Sequence, residues 1–209
     1  MDKDYRNTEY CLPLIEINSK KKILNDTICR EHPRARIMYN QVRDSLEYKK
    51  RFLKIYNCKC SYCGNSIVNL PMTDFEIDHL ICESSFKTKA EAGEIENLVL
   101  SCYDCNRAKG DFFIEENYYM LLNPDFEGIK SVFSRDELYY IKVSEDYYSD
   151  SFICSFYEKL KLGYETRRLD FLLLKLNGLC NETKGSDTGI KLNEVLIKLT
   201  QKRNLISLK

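Results

Sequence analysis

In this chain of 209 residues, 32 Lys and Arg balance 32 Asp and Glu and the pI lies near 6.7, so it lacks the broad positive field of a protein that grips nucleic acid unaided. Its 44% hydrophobic and 31% charged residues are ordinary for a folded soluble protein with one large or two small cores. No apolar run reaches the length of a membrane span, and the first ten residues lack the apolar stretch of a secretory leader. In chain order, Met38, Val42, Leu46, Leu53 and Tyr56 recur at helical spacing and predict one long amphipathic helix over about 35–56. Ser66–Leu70 and Phe75–Leu80 read as short strands joined as a hairpin around Pro71. Leu98–Leu100 then leads to a cysteine pair and a short helix carrying Asn106. Met120–Leu122 closes a helix before Asn123-Pro124, and Ile129–Phe133 with Leu138–Val143 predicts a second hairpin turning at Ser134–Asp136. Tyr147–Leu162 and Tyr164–Leu179 read as helices split by Gly163, and a last helix spans about Leu192–Arg203. The expected fold class is α+β: a helical segment 1–57, a central unit 58–113 and a mostly helical region 114–209.

The central unit carries the chemistry. Cys60/Cys63 and Cys102/Cys105 form two Cys-x-x-Cys pairs, the ligand set of a closed tetrahedral zinc site that staples a small domain. Cys58 is an alternative first ligand, but the knuckle ending in Gly64 favours Cys60. Ten cysteines with four on zinc imply a reducing, cytoplasmic compartment, and Cys11, Cys29, Cys58, Cys82, Cys154 and Cys180 are read as small apolar side chains. Asp78-His79 and Asn97 lie between the pairs, and Asn106 follows Cys105 directly.

Only two histidines occur, His32 and His79. His32 sits in the charged stretch Arg30–Arg36 before a proline and reads as an exposed turn residue. His79 is therefore the candidate general base, since imidazole is the side chain best placed to take a proton from water near neutral pH. Asp78 and Asn106 offer oxygen alone, which suits Mg²⁺ or Mn²⁺ rather than zinc. Adjacent strand residues point to opposite faces, so Asp78 and His79 converge only where the strand ends or bends. Glu76 shares the Asp78 face. Arg107 and Lys109 are candidates to hold flanking phosphates, with a solvated helix face as the plainer alternative.

The strings CSYCG at 60–64, FEIDHL at 75–80 and ENLVLSCYDCNRAKG at 96–110 resemble the HNH (ββα-metal) endonuclease family over about Cys60–Gly110. The resemblance implies a treble-clef-like ββα-metal core: a strand ending in Asp78-His79, a second strand or loop carrying Asn97, and a helix carrying Asn106. It implies His79 as general base, Asn97 as the residue that steers the imidazole through a backbone contact, and Asp78 and Asn106 as ligands of the catalytic ion. The last letter of the motif is Asn rather than His, a variant within the family. The family commonly has Pro three residues after the catalytic His, where this chain has Cys82.

Charge is unevenly spread. Twelve basic residues face four acidic ones between Ser19 and Cys60, and three basic residues face ten acidic ones between Asp111 and Asp150. The first stretch is a candidate backbone-binding surface; the second argues against wrapping long duplex and suits a basic partner. The pairs Tyr118-Tyr119, Tyr139-Tyr140 and Tyr147-Tyr148 point to a protein interface rather than base stacking. A looser likeness in size and layout links the chain to small HNH proteins of bacterial defence systems that work with an ATPase partner, such as the Septu type. The expected function is a metal-dependent endonuclease on DNA, an effector in such a system, acting with an ATPase partner or as a homo-oligomer. The alternatives are a zinc-stapled regulatory or binding subunit without catalysis, and an RNA-cutting effector. The half after Phe113 is expected to be separable from the zinc unit.

Overall fold

The computed structural model describes residues 4–206. Helix α1 (Ile17–Glu31) leads into α2 (Met38–Asp44) and α3 (Leu46–Ile55). The single helix expected over 35–56 is thus two. Ser45 leaves the helical region (φ −88°, ψ 116°) and its hydroxyl accepts from the Tyr48 amide, so it caps α3 instead of continuing α2. Helix α1 escapes a reading of apolar spacing because Lys21 occupies a position in its buried stripe of Ile17, Leu24 and Ile28. The Lys21 ammonium is neutralised there by Asp125 at 2.8 Å and donates to the Glu96 carbonyl. Part of the acidic segment is therefore a partner for the basic segment of the same chain.

Strand β1 (Phe75–His79) pairs antiparallel with β2 (Leu98–Cys102), with Phe75 opposite Cys102 and His79 opposite Leu98; the turn of helix α4 (Lys89–Ala92) lies in the connection. The hairpin expected around Pro71 does not form. Ser66 makes one isolated bridge with Lys59, and residues 66–70 turn just after the cysteine knuckle. Strand β2 runs directly into α5 (Tyr103–Lys109), which ends at Gly110 and packs on the sheet, giving the ββα unit. The last turn of α5 is closed by Gly110 at φ 54°.

Two short helices, α6 (Tyr119–Leu122) and α7 (Ile129–Val132), precede β3 (Phe133–Arg135) and β4 (Ile141–Val143). This second hairpin is shorter than expected, because Ile129–Val132 coils as a helical turn and only Phe133 onward is extended. Helix α8 (Ser151–Lys159) is capped by Asp150, α9 spans Glu165–Glu182, and α10 spans Asp187–Ile206. No helix among the described residues is long and apolar enough to cross a membrane.

One buried cluster runs through all three sequence regions, from Tyr5, Ile28 and Phe52 through Tyr62, Leu98 and Leu100 to Phe133 and Phe156. Arg6 ties it together: fully buried, it pairs with Asp4 and donates to the carbonyls of Ser61 at 2.7 Å and Pro124 at 2.8 Å. The half after Phe113 thus shares buried contacts with the residues before it. Removing it would strip Phe156 from Tyr62 and leave Arg6 without its Pro124 partner.

Candidate active site and cysteine cluster

The sulfurs of Cys60, Cys63, Cys102 and Cys105 lie within 4.8 Å of one another, all buried, with Cys63 and Cys102 at 3.9 Å. Tetrahedral zinc with Zn–S bonds of about 2.3 Å holds its sulfurs about 3.8 Å apart, so the cage fits that ion closely. Cys58 is outside it. The first pair comes from the knuckle that follows α3; the second brackets the β2–α5 junction. Thiolates around zinc carry net negative charge, and a buried cation answers it: Arg167 of α9 lies 3.9 Å from Cys102 Sγ. Burial works against its charge, yet the four cysteines hold its pKa well above the ordinary arginine value. Its Nε has no hydrogen-bond partner among the described residues. The C-terminal helices are fastened to the same knuckle through Asp170, which accepts from Asn65 and Arg203 at 2.8 Å each.

His79 ends β1, as the sequence predicts. Its main chain is held from two directions. The Lys109 ammonium donates to the His79 carbonyl at 2.8 Å, and the following Leu80 amide donates to the Asn97 carbonyl at 2.8 Å. The Asn97 side chain accepts from the Ile81 amide at 2.8 Å and donates to the carbonyls of Ile81 at 3.0 Å and Ala92 at 2.8 Å. Asn97 thus fixes the loop leaving His79 and does not touch the imidazole. At Cys82 the loop has φ −59°, a value within the range that a proline would impose. The imidazole packs against the ring of Tyr39, centroids 4.3 Å apart at 38°, and has no hydrogen bond among the described residues. Burial holds its pKa below the ordinary histidine value; Glu83 opposes this, while Lys109 and Arg43 add to it.

Asp78 and Glu76 share the other face of β1, under α5. Asp78 is buried, accepts from the Tyr62 hydroxyl at 2.9 Å and sits 3.3 Å from the Lys109 ammonium. Burial raises its pKa above the ordinary carboxylate value despite the pull of Lys109 and Tyr62. Asn106 donates its amide to Glu76, which also pairs with Arg107 at 3.0 Å. That leaves the Asn106 carbonyl oxygen without a partner among the described residues. Asp78 and Asn106 therefore stand on facing elements as oxygen donors, a set that fits a hard divalent ion.

The two basic candidates of α5 part company. The Arg107 side chain is 60% exposed, whereas Lys109 is 1% exposed and turned inward on Asp78. Lys109 belongs neither to a solvated face nor to a flanking-phosphate surface. Sequence reasoning missed its inward course, and it missed Tyr39 altogether. An aromatic residue some forty positions before His79 carries no local signal of the contact.

No curated protein and no solved structure matches the chain significantly. Residues 60–112, which span the four cysteines, the β1–β2–α5 unit and all four motif positions, match the family model of HNH endonuclease. The ββα unit stapled by the four-cysteine cluster is an HNH endonuclease domain.

Proposed function

We propose that the chain is a divalent-metal-dependent endonuclease that hydrolyses phosphodiester bonds in DNA, with His79 as general base. The observation that carries this reading is the treatment of His79: its main chain is clamped by Asn97 and Lys109, while its ring nitrogens have no hydrogen-bond partner among the described residues. A histidine kept for structure has its nitrogens satisfied; a base must keep one for water. The lowered pKa keeps the ring neutral at neutral pH and ready to accept a proton.

In the reaction, His79 removes a proton from water as the water oxygen bonds to phosphorus and the bond to the leaving 3′-oxygen breaks. Asp78 and Asn106 would hold Mg²⁺ or Mn²⁺, which supplies charge stabilisation to the phosphate and leaving oxygen when bound. Lys109 and Tyr62 orient Asp78, Glu76 orients Asn106, and the exposed Arg107 steadies a neighbouring phosphate. The chain's zero net charge favours recruitment to DNA by a second protein or a second copy, in keeping with an effector of a bacterial defence system that works with an ATPase partner.

Conversion of supercoiled plasmid to nicked or linear forms in Mg²⁺ or Mn²⁺ tests the reading. Wild type should cut; His79→Ala should not, with its melting temperature and zinc content unchanged. Cutting by His79→Ala at the wild-type rate overturns the assignment of the base.

A further inference from the structure

We propose that Tyr39, which lies outside the segment matching the HNH family, is a positioning residue for His79 and sets the orientation of its imidazole. This inference rests on His79 being the base.

A general base needs a third group to hold its ring, commonly a carboxylate or carbonyl on the second nitrogen. His79 has none among the described residues, because Asn97 and Lys109 act on main-chain atoms. Main-chain clamps fix where Cβ lies and leave χ2 free. Among the described residues the aromatic ring against it is that of Tyr39, with centroids 4.3 Å apart. Such a contact restricts ring rotation and closes one face to water, which leaves the ring edge with its nitrogens as the open side.

Tyr39 is itself held. Its amide donates to the Gly93 carbonyl at 3.0 Å, one residue after the Ala92 carbonyl that receives Asn97. A Cβ on Gly93 would come within 2.8 Å of Ile37 Cγ2 and 3.2 Å of Tyr39 Cβ, so the absence of a side chain lets the start of α2 seat here. The Arg43 guanidinium lies 5.0 Å from the centroid of the Tyr39 ring. Through its contact with His79, Tyr39 joins α2 to the end of β1.

The test compares wild type, Tyr39→Phe, Tyr39→Leu and His79→Ala in full-length protein, by plasmid cleavage and by NMR of the histidine ring protons. With two histidines in the chain, His79→Ala identifies the His79 signals directly. The wild-type and Tyr39→Phe spectra should share a ring-current shift at His79 that Tyr39→Leu abolishes, with His32 unmoved. Tyr39→Leu should lower kcat about tenfold or more with KM little changed, while Tyr39→Phe retains activity. His79 signals that are the same in wild type and Tyr39→Leu overturn the proposal, as does undiminished kcat in Tyr39→Leu or a change confined to KM. If His79→Ala itself cuts normally, the functional reading fails instead.

Discussion

Arg167 lies 3.9 Å from Cys102 Sγ and 3.8 Å from Asp104, although 65 residues separate it from that cysteine. It is buried, and its position among four thiolates makes it the counter-charge of the metal cage. Arg167→Met keeps most of the volume and removes the charge. Loss of one partner from a buried charge arrangement costs about 3–5 kcal/mol. The variant should melt well below wild type and release zinc to a chelator faster; an unchanged melt and release rate would remove Arg167 from the cage's stability.

Asn97 is held by one accepted and two donated hydrogen bonds, so its two conservative replacements should differ. Asn97→Ala loses all three and should cost about 1–3 kcal/mol with a fall in cleavage. Asn97→Asp keeps the Ile81 amide but points a buried carboxylate at two carbonyl oxygens, and it should be the more damaging. Equal melting temperatures for the two variants would contradict this ordering.

Lys109→Met should destabilise the fold as well as reduce cleavage. It would strand the buried Asp78 carboxylate with Tyr62 alone and leave the His79 carbonyl unpaired. A loss of about 3–5 kcal/mol is expected, read by denaturant unfolding. Arg107→Ala, on an exposed side chain, should leave stability within about 0.5 kcal/mol of wild type and weaken DNA binding.

The Asp4–Arg6 pair gives a pH prediction. Burial favours the neutral Asp4 carboxyl, but the Arg6 charge and hydrogen bonds win and hold its pKa below the ordinary carboxylate value. A lowered folded-state pKa means that the unfolded chain binds the proton more tightly. The stability from Asp4 is therefore complete above the unfolded value near 4 and drains away as pH falls through the folded one. Asp4→Asn should be less stable at neutral pH and show a shallower loss of stability into acid. A parallel acid-unfolding curve for the variant would place the pH dependence elsewhere.

The parts of the site that sequence makes legible are those with rigid spacing. The Cys-x-x-Cys pairs, the strand end at Asp78-His79 and the helix bearing Asn106 all follow from residues close together along the chain. What escapes is set by distant contacts or by polar residues in apolar places. The break at Ser45 yields to an apolar period that continues on both sides of it. Helix α1 is hidden by Lys21 in its core stripe. The β1–β2 pairing bridges Phe75 to Cys102, and no turn signal next to Pro71 reveals it. Lys109 reads as a surface lysine because its partners are a carboxylate and a carbonyl 31 and 30 residues earlier, respectively.

Arg6 has a bearing on when, during synthesis, the molecule can first become whole. Its guanidinium waits for the carbonyl of Pro124, 118 residues later, while the metal cage waits for Arg167. A nascent chain that has emerged only through Gly110 already holds every residue proposed for cleavage, yet neither of these two buried contacts. The residues proposed for cleavage are thus all made before Pro124 and Arg167, which supply these two contacts.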